Sequence, residues 1–376
     1  MKRSLVLLGL TLVLFSIYVT FCSPSTTIIS PMSSTSHTQY SMPHTSYIIM
    51  GFAPYWNLKK LSPESLSSIT HLAYFHLLVN GDGTIYKKTN KREEDPGFTN
   101  YKRLLTGSID HGKKPLIITF MPESQTALAS SLSNSNQTIQ TIKNILTESG
   151  ASGVNIDYEP LGDISPTLRS SFTSFIKDLR DAIPNHQISI SIYASSAVRP
   201  RIWDLAALSD HTDYFVVMTY DYTMPGNSSA GPNSPLRGSG DRFEHDIIKN
   251  IAQITKLVPS KKVLLGIPFY GYEWETIDGS KYSLVESKGS VASLERVDKM
   301  IQDKTLELVW DRNTLTPYGI STESGKTSQI YFENETSIKL KLEFVKSANL
   351  GGIAIWALGY EGNNSWVWPT INKLNL

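Results

Sequence analysis

The sequence predicts an α/β fold, namely a (β/α)8 TIM barrel with a small α+β insertion between its seventh and eighth strands. Three observations predict it. Eight short, apolar, β-rich runs follow one another along the chain, amphipathic stretches separate several of them, and no Gly-rich phosphate loop stands at a strand exit. Eight such alternations favour a closed barrel over an open doubly wound sheet.

The predicted strands share a short length and a high content of β-branched and aromatic residues. They cover residues 47–53, 70–79, 114–121, 153–159, 187–194, 214–221, 262–269 and 351–358. The stretch 171–183 is typical of the segments between them, because its apolar residues recur at the spacing of one helix face. Alternating strand and helix patterns of this kind are the sequence form of repeated βα units.

A long interval separates the seventh and eighth predicted strands. Residues 270–350 exceed what one crossover helix needs, and they contain strand-like runs of their own at 306–310 and 329–333. We therefore predict an insertion at about 272–348. It would belong to a single barrel domain, residues 47–376, and form one wall of a substrate cleft.

The N-terminal residues 1–22 predict export. Two basic residues precede residues 4–22, which are nineteen uncharged and mostly apolar residues, the length of a signal peptide or a membrane anchor. Bulky Phe21 stands where signal cleavage favours a small residue, so three alternatives stay open: a cleaved signal, an uncleaved anchor, and lipidation of Cys22. In each case the main domain is secreted or extracellular, either free or anchored to a membrane by residues 4–22.

Residues 23–46 form a linker in this interpretation, since they are rich in Ser, Thr and Pro and contain no Asp, Glu, Lys or Arg. The chain as a whole has 35 basic and 34 acidic residues and a net charge of +1, which gives no reason to expect nucleic-acid binding. The only cysteine is Cys22, and no metal-binding spacing such as H-E-x-x-H occurs. We expect no cofactor and no metal, and the sequence gives no oligomeric state.

One strand carries acidic residues in an unusual pattern. Residues 153–159 read GVNIDYE, and because strand side chains alternate, Asn155, Asp157 and Glu159 share one face. In a barrel the active site lies at the carboxyl ends of the strands, so this face would lead to the active site. The alternative is a structural strand with one solvent-exposed face. Inside a barrel, that alternative would need buried partners for the carboxyls of both Asp157 and Glu159.

At this point the chain resembles glycoside hydrolase family 18, the chitinase-like barrels. Residues 153–159 resemble the family's D-G-x-D-x-D-x-E strand, and MTYDY at 218–222 resembles its M-x-Y-D exit of the sixth strand. Residues 266–274 are similar to its seventh strand, and 351–359 to its eighth, which ends in tryptophan. Four motifs in the right order make the resemblance specific, and it extends from Tyr47 to the C-terminus.

The resemblance implies a mechanism in which the substrate's own 2-acetamido oxygen attacks the anomeric carbon and the configuration is retained. Glu159 would be the general acid, and Asp157 would orient the acetamido N–H and stabilise the oxazolinium intermediate. Asp157 and Glu159 leave one face of one strand, so they are poorly placed to flank a sugar ring from opposite sides. Neither is then a natural nucleophile.

The resemblance also implies a set of substrate-binding side chains: an acetamido wall, an aromatic floor and aromatic positions at strand exits. These are Asn155, Met218, Tyr220, Asp221, Trp356, Tyr55 and Tyr193. Trp356 would lie beneath the distorted sugar, Tyr220 would bond the acetamido oxygen, and Asp221 with Met218 would complete that wall. Each aromatic residue and Met218 has an alternative as core filler of the barrel.

Two departures from the family pattern concern the acidic strand. Ser152 and Asn155 stand where the family has aspartates. We expect the Asn155 amide to donate a hydrogen bond to Asp157 and favour its ionised form, which predicts retained activity with an altered pH profile. Within the family, the chain resembles the cell-wall and spore-peptidoglycan N-acetylglucosaminidase branch more than the large chitin-processing enzymes. This resemblance rests on Asn155, residues 272–274 and residues 230–236.

The sequence therefore predicts a glycosidase of chitinase or endo-β-N-acetylglucosaminidase type. Its partner would be a β-1,4-linked polysaccharide that contains N-acetylglucosamine. Chitin, peptidoglycan and an N-glycan core stay open as substrates, and so does the choice between internal (endo) and terminal (exo) attack. The alternative is a non-catalytic, lectin-like glycan-binding protein on the same barrel. Such relatives usually lose the acid at the position of Glu159, which is present here.

Overall fold

A computed structural model describes residues 46–89, 91, 93–107, 112–240 and 243–376. The predicted signal or anchor segment 4–22 and the linker, apart from its last residue, lie outside the described residues. Within the described ranges, no helix combines the length and apolar character that crossing a membrane requires.

The described residues form thirteen strands. They are β1 (Ile48–Pro54), β2 (His71–Val79), β3 (Leu116–Pro122), β4 (Gly153–Ile156), β5 (Gln187–Tyr193), β6 (Tyr214–Met218), β7 (Val263–Pro268), β8 (Tyr270–Thr276), β9 (Ser290–Ser293), β10 (Glu307–Asp311), β11 (Thr316–Glu323), β12 (Lys326–Tyr331) and β13 (Gly352–Trp356). Eight of them close a parallel barrel in the order β1-β13-β7-β6-β5-β4-β3-β2. Each of these eight overlaps one predicted run, so the predicted (β/α)8 barrel is confirmed.

Ten α-helices lie among the described residues. They are α1 (Pro63–Ser68), α2 (Pro96–Leu105), α3 (Gln125–Ser133), α4 (Ser135–Ser149), α5 (Pro166–Ala182), α6 (Leu205–Leu208), α7 (Ile247–Ile254), α8 (Leu294–Gln302), α9 (Glu335–Ser347) and α10 (Val367–Asn372). Helix α5 shows why the sequence forms them. The Ser165 side chain caps its first turn, Pro166 occupies the first position, and Phe172 and Phe175 are buried against the barrel.

The inside of the barrel is apolar on one side and polar on the other. Inward side chains of β1, β2, β3, β6, β7 and β13 form one buried cluster: Met50, Phe52, Ala73, Phe75, Ile117, Val216, Leu264 and Ala354. The inward positions of β4 and β5 instead carry buried Asn155, Ser189 and Ser191. Polar groups buried at this depth need hydrogen-bond partners, and these lie on β4 and β5 themselves and at the carboxyl ends of the two strands.

The interval between β7 and β13 contains a second, antiparallel sheet of five strands in the order β10-β11-β12-β8-β9. One face packs against α8 through Ala292, Leu306 and Ile330. The other face carries a cluster of aromatic residues that includes Tyr270, Tyr272, Trp274, Tyr282, Tyr318 and Tyr331. Tyr220 and Trp356 of the barrel pack against this cluster, so the inserted sheet adjoins the barrel mouth.

Candidate active site

The acidic residues lie where β4 ends. The strand stops at Ile156, earlier than the predicted 159, although the Asp157 N–H still donates to the Phe120 carbonyl of β3 over 3.0 Å. Asp157 is 4% exposed and Glu159 is partly exposed at the mouth. No lysine or arginine of the described part of the chain forms an ion pair with either carboxyl.

The turn that carries Glu159 is held by a side chain from α3. The Gln125 Nε2 donates to the Glu159 carbonyl over 2.9 Å, and the Leu161 N–H donates to Gln125 Oε1 over 2.9 Å. One carboxamide therefore fixes the backbone on both sides of Pro160. Sequence reasoning missed Gln125, because nothing local marks a residue that acts across 34 positions.

The pKa values of the two carboxyls are perturbed in the same direction. Burial raises the pKa of Asp157 well above its ordinary value, and the charge of Glu159 adds to this. Burial also raises the pKa of Glu159, with a hydrogen bond from Tyr193 opposing the shift. Two neighbouring carboxyls disfavour each other's ionisation, so the pair holds a proton to higher pH than isolated carboxyls would. This is the state that general acid catalysis needs.

Asn155 makes its bonds to two serines rather than to Asp157. Its Nδ2 donates to the Ser191 hydroxyl over 2.9 Å, and its Oδ1 accepts from the Ser189 hydroxyl over 3.0 Å. The expected direct bond from Asn155 to Asp157 is therefore wrong. Ser191 lies between the two, and its hydroxyl lowers the pKa of Asp157 against the effect of burial.

Tyr193 and Met218 lie side by side at the ends of β5 and β6, where they are register partners. The Tyr193 hydroxyl lies close enough to the Glu159 carboxyl to oppose the rise in the pKa of Glu159. On the other sides of Tyr193, the Arg201 guanidinium lies 5.1 Å from the ring centroid, and Trp203 makes an edge contact at 5.0 Å. Arg201 also donates to the Pro160 carbonyl over 3.2 Å, so it joins the β5 exit to the turn that carries Glu159.

Asp221 follows β6 in a left-handed conformation, with φ of 64°. The predicted strand to 221 ends earlier, at Met218, and the Asp221 N–H bonds to Asn233 Oδ1 over 2.8 Å instead of to a strand. Its Oδ1 accepts from the hydroxyls of Tyr270 and Tyr272, at 2.5 and 2.7 Å. Burial raises the pKa of Asp221, and these two bonds oppose the rise.

Tyr220 lies among all three carboxyls. Burial, then the charges of Asp221, Asp157 and Glu159, raise the pKa of its hydroxyl well above the ordinary value. The hydroxyl therefore stays protonated at any working pH and is available as a hydrogen-bond donor. Its ring packs against Tyr270, with centroids 6.0 Å apart.

Trp356 lies at the opposite side of the mouth, at the end of β13. Its ring meets Phe75 at 4.5 Å and Phe52 at 6.1 Å between centroids. Trp56, 47% exposed, joins this group through Phe75 at 6.1 Å and donates from Nε1 to the Tyr360 hydroxyl over 3.4 Å. Trp56 was not predicted, although a tryptophan three residues after the first predicted strand is a signal that the sequence contains.

Tyr55 lies at the outer edge of this group. Its ring makes edge contacts with Trp56 at 4.8 Å and with His76 at 5.8 Å between centroids. Burial raises its pKa, and the charge of Asp95, which caps α2, adds to the rise. The structure thus brings together Asn155, Asp157, Glu159, Tyr193, Met218, Tyr220, Asp221 and Trp356, and Tyr55 joins them through Trp56. Across the described ranges, no three His, Cys, Asp or Glu side chains converge as a metal site.

Comparisons with known proteins agree with this geometry. A sequence model of Glycosyl hydrolases family 18 matches residues 46–361. The cortical fragment-lytic enzyme of Bacillus subtilis (strain 168) is 23% identical over 330 residues, covering 83% of this chain and 69% of that protein. The di-N-acetylchitobiase of Mus musculus is 22% identical over 225 residues, covering 54% of this chain and 60% of the relative.

The class V chitinase of Nicotiana tobaccum, solved with NAG4, has the same fold with a TM-score of 0.75 at 17% identity, covering 88% of this chain and 99% of that one. This chain spans between 50% and 70% of the length of the curated relatives it matches. The family match covers most of the chain. The chain therefore belongs to glycosyl hydrolases family 18 and is a glycosidase.

Proposed function

We propose that this chain hydrolyses β-1,4-linked glycans containing N-acetylglucosamine, with the substrate's acetamido oxygen as nucleophile and with retention of configuration. The observation that carries the proposal is the placement of Asp157 and Glu159 at successive inward positions after one strand. Two carboxyls so placed lie on the same side of a bound sugar. A retaining enzyme with a protein nucleophile needs them on opposite sides.

Glu159 supplies the proton in this mechanism. As the bond between the anomeric carbon and the glycosidic oxygen breaks, the Glu159 carboxyl protonates that oxygen and the acetamido oxygen bonds to the anomeric carbon. Water then attacks the same carbon, gives a proton back to Glu159, and displaces the acetamido oxygen. General acid catalysis contributes ~10²- to 10⁴-fold, and the intramolecular attack removes ~7 kcal/mol or more of the barrier.

Asp157 acts on the acetamido N–H. Its Oδ1 is buried and accepts no hydrogen bond from the described residues, which is costly without a substrate partner. An acetamido N–H donating to this oxygen would satisfy it, and the negative carboxylate would stabilise the positive oxazolinium. Tyr220 donates to the acetamido oxygen and aligns it, since its hydroxyl stays protonated.

Aromatic residues supply the remaining contacts. Trp356 faces the mouth from the end of β13 and offers a flat surface for the apolar side of a pyranose ring. Trp56 extends this surface outward through its bond to Tyr360. The class V chitinase related in fold holds NAG4, and the relative from Bacillus subtilis is a cortical fragment-lytic enzyme, so both chitin oligomers and peptidoglycan are substrates to test.

The site of action is part of the proposal. The apolar run of residues 4–22 would export the barrel, which would then be either secreted or anchored on the extracellular side of the membrane. There it would meet polymeric glycans, which do not cross membranes.

The experiment is a comparison of Glu159→Gln with the unmodified chain on N-acetylated chitin oligomers and on purified peptidoglycan, with products read by mass spectrometry. We expect a loss of ~100-fold or more in Glu159→Gln. The exposed Glu64→Gln on α1 is the matched control and should behave as the unmodified chain. Equal activity in Glu159→Gln would reject the assignment, and glycan binding without hydrolysis by the unmodified chain would favour the lectin alternative.

A further inference from the structure

Beneath the two carboxyls, β4 and β5 carry a row of three buried polar side chains, which we call the serine–asparagine ladder: Ser189, Asn155 and Ser191. The Ser189 hydroxyl hydrogen is shared between Asn155 Oδ1 at 3.0 Å and the Val154 carbonyl at 3.1 Å, and Asn155 Nδ2 donates to the Ser191 hydroxyl oxygen over 2.9 Å. All three are buried inside the barrel. The ladder crosses between the strands and rises toward the mouth.

The strand register sets what lies above the ladder. Asn155 is paired with Ser189 and Ile156 with Ile190 in the parallel pair β4 and β5. β4 ends at Ile156, and continuing its register by one residue places Asp157 opposite Ser191 on the inward face. Ser191 stands beside Asp157 as Ser189 stands beside Asn155.

The direction of the hydrogen bonds follows from counting protons. A serine hydroxyl has one proton and two lone pairs, whereas an amide nitrogen can only donate. Since the Asn155 amide donates to the Ser191 oxygen, the Ser191 proton points away from Asn155. The neighbouring acceptor is Asp157, whose carboxylate gains more from a donor than any neutral acceptor would.

We propose that Ser191 is a positioning residue that donates its hydroxyl hydrogen to ionised Asp157 and thereby moves the proton shared by the carboxyl pair onto Glu159. This inference rests on the proposed function, in which Glu159 must hold that proton. Burial acts in the opposite sense, because Asp157 is the more deeply buried of the two and would otherwise keep the proton.

Other charged and titratable groups face the pair and must stay constant in any comparison. Tyr193 at the end of β5 lowers the pKa of Glu159, and Asp221 after β6 raises it by its charge. Tyr220 lies near both carboxyls, and Arg201 lies over the Tyr193 ring. None of these four belongs to the ladder, so ladder variants leave them in place.

The experiment compares Ser191→Ala with Ser189→Ala. Both serines are buried on the inward face of β5 and both bond Asn155, but only Ser191 adjoins Asp157. In Ser191→Ala we expect the acidic limb of kcat/KM to move up by about one pH unit, the size of one lost hydrogen bond to a charged group. In Ser189→Ala the limb should stay in place. Equal profiles in the two variants would overturn the inference.

Asn155→Asp tests the direction of the ladder. A carboxylate at this position would accept from Ser191 and turn its proton away from Asp157, and its own negative charge would also raise the pKa of Asp157, so the acidic limb should move up further than in Ser191→Ala. An unmoved limb contradicts the ladder account. Substituting the exposed Asn144→Asp on α4 is the control for adding a carboxylate elsewhere.

A second measurement needs no turnover. The carboxyl carbon of Asp157 can be titrated by NMR in the unmodified chain and in both serine variants, with aspartate labelled in ¹³C. We expect a pKa about one unit higher in Ser191→Ala alone, and identical titrations would refute the role of Ser191. If Glu159→Gln is inactive while both serine variants behave alike, this inference fails and the proposed function stands. If Glu159→Gln is fully active, the proposed function fails instead.

Discussion

The Tyr270 hydroxyl donates to Oδ1 of Asp221 over 2.5 Å, and this bond joins the inserted sheet to the barrel. Tyr270 is the first residue of β8, only two positions after β7 ends, while Asp221 follows β6. The insertion is therefore more than a wall beside the cleft. It fixes the carboxyl whose charge acts on both Tyr220 and Glu159.

Removing the Tyr220 hydroxyl should slow catalysis while leaving binding largely intact. Tyr220→Phe is expected to lower kcat by about 10²-fold, because a donor aimed at the reacting acetamido oxygen matters most in the transition state. Tyr214→Phe, at the start of β6, is the matched control and should keep the kcat of the unmodified chain. Steady-state kinetics on one chitin oligomer measure both, and a fall in Tyr214→Phe equal to that in Tyr220→Phe would contradict the assignment.

Glu361 predicts a pH dependence of stability. It is buried after β13, its Oε2 accepts from the Gly359 N–H over 2.6 Å, and burial raises its pKa to about 7. An acid whose pKa is raised on folding contributes stability in full below its unfolded pKa, and this contribution is lost as pH rises through the folded value. The stability that Glu361 contributes is therefore lost between about pH 4.5 and a pH above 7.

Glu361→Gln should remove that dependence. Denaturant unfolding at pH 5 and pH 8 should show a decline in the free energy of unfolding that is smaller in Glu361→Gln by up to about 3 kcal/mol, since each pKa unit is worth ~1.4 kcal/mol. Exposed Glu64→Gln should follow the unmodified chain. Parallel declines in all three proteins would show that Glu361 is not the group that titrates.

The pair of Lys341 and Glu333 predicts a large loss of stability. The two side chains are 0% and 1% exposed, lie 2.5 Å apart, and connect α9 to the segment that follows β12. Lys341→Met should cost ~3–5 kcal/mol of unfolding free energy, because it leaves the Glu333 carboxyl buried without its cation. The double variant Lys341→Met with Glu333→Gln should recover most of the loss.

The control for this prediction is an exposed pair. Lys299 and Asp303 lie 3.9 Å apart on the protein surface, so Lys299→Met should change the unfolding free energy little. Denaturant unfolding of the three variants beside the unmodified chain makes the comparison. A double variant as unstable as Lys341→Met alone would mean that lost packing, and not the unpaired carboxyl, causes the loss.

The barrel could be predicted because each of its strands is a short apolar run and the amphipathic face of α5 repeats at helical spacing. The strand ends could not be predicted. Alternation continues through Asp157 and Glu159, but β4 stops at Ile156. Asp221 leaves the strand because Asn233, twelve positions later, accepts its N–H, and no local pattern encodes a partner at that distance.

The site could be predicted in part, and its residue roles remain predictions. The alternation of Asn155, Asp157 and Glu159 predicts one polar face, and Ser189 and Ser191 alternate with the predicted Tyr193 on β5 in the same way, although neither serine was predicted. Gln125 carries no comparable signal, and the motif at 266–274 does not show which partner Tyr270 has, because both contacts depend on how the chain folds around the mouth. Tertiary contacts decide such positions, whereas periodicity decides only which face a side chain occupies.

The most direct measurement of the central claim compares two substrates that differ only in the acetyl group: N-acetylated chitohexaose and its fully deacetylated counterpart. If the bound sugar supplies the attacking oxygen, the acetylated oligomer is cleaved and the deacetylated one is slower by about 10⁵-fold, the factor that ~7 kcal/mol of intramolecular advantage represents. Cleavage of both oligomers at comparable rates would contradict the claim.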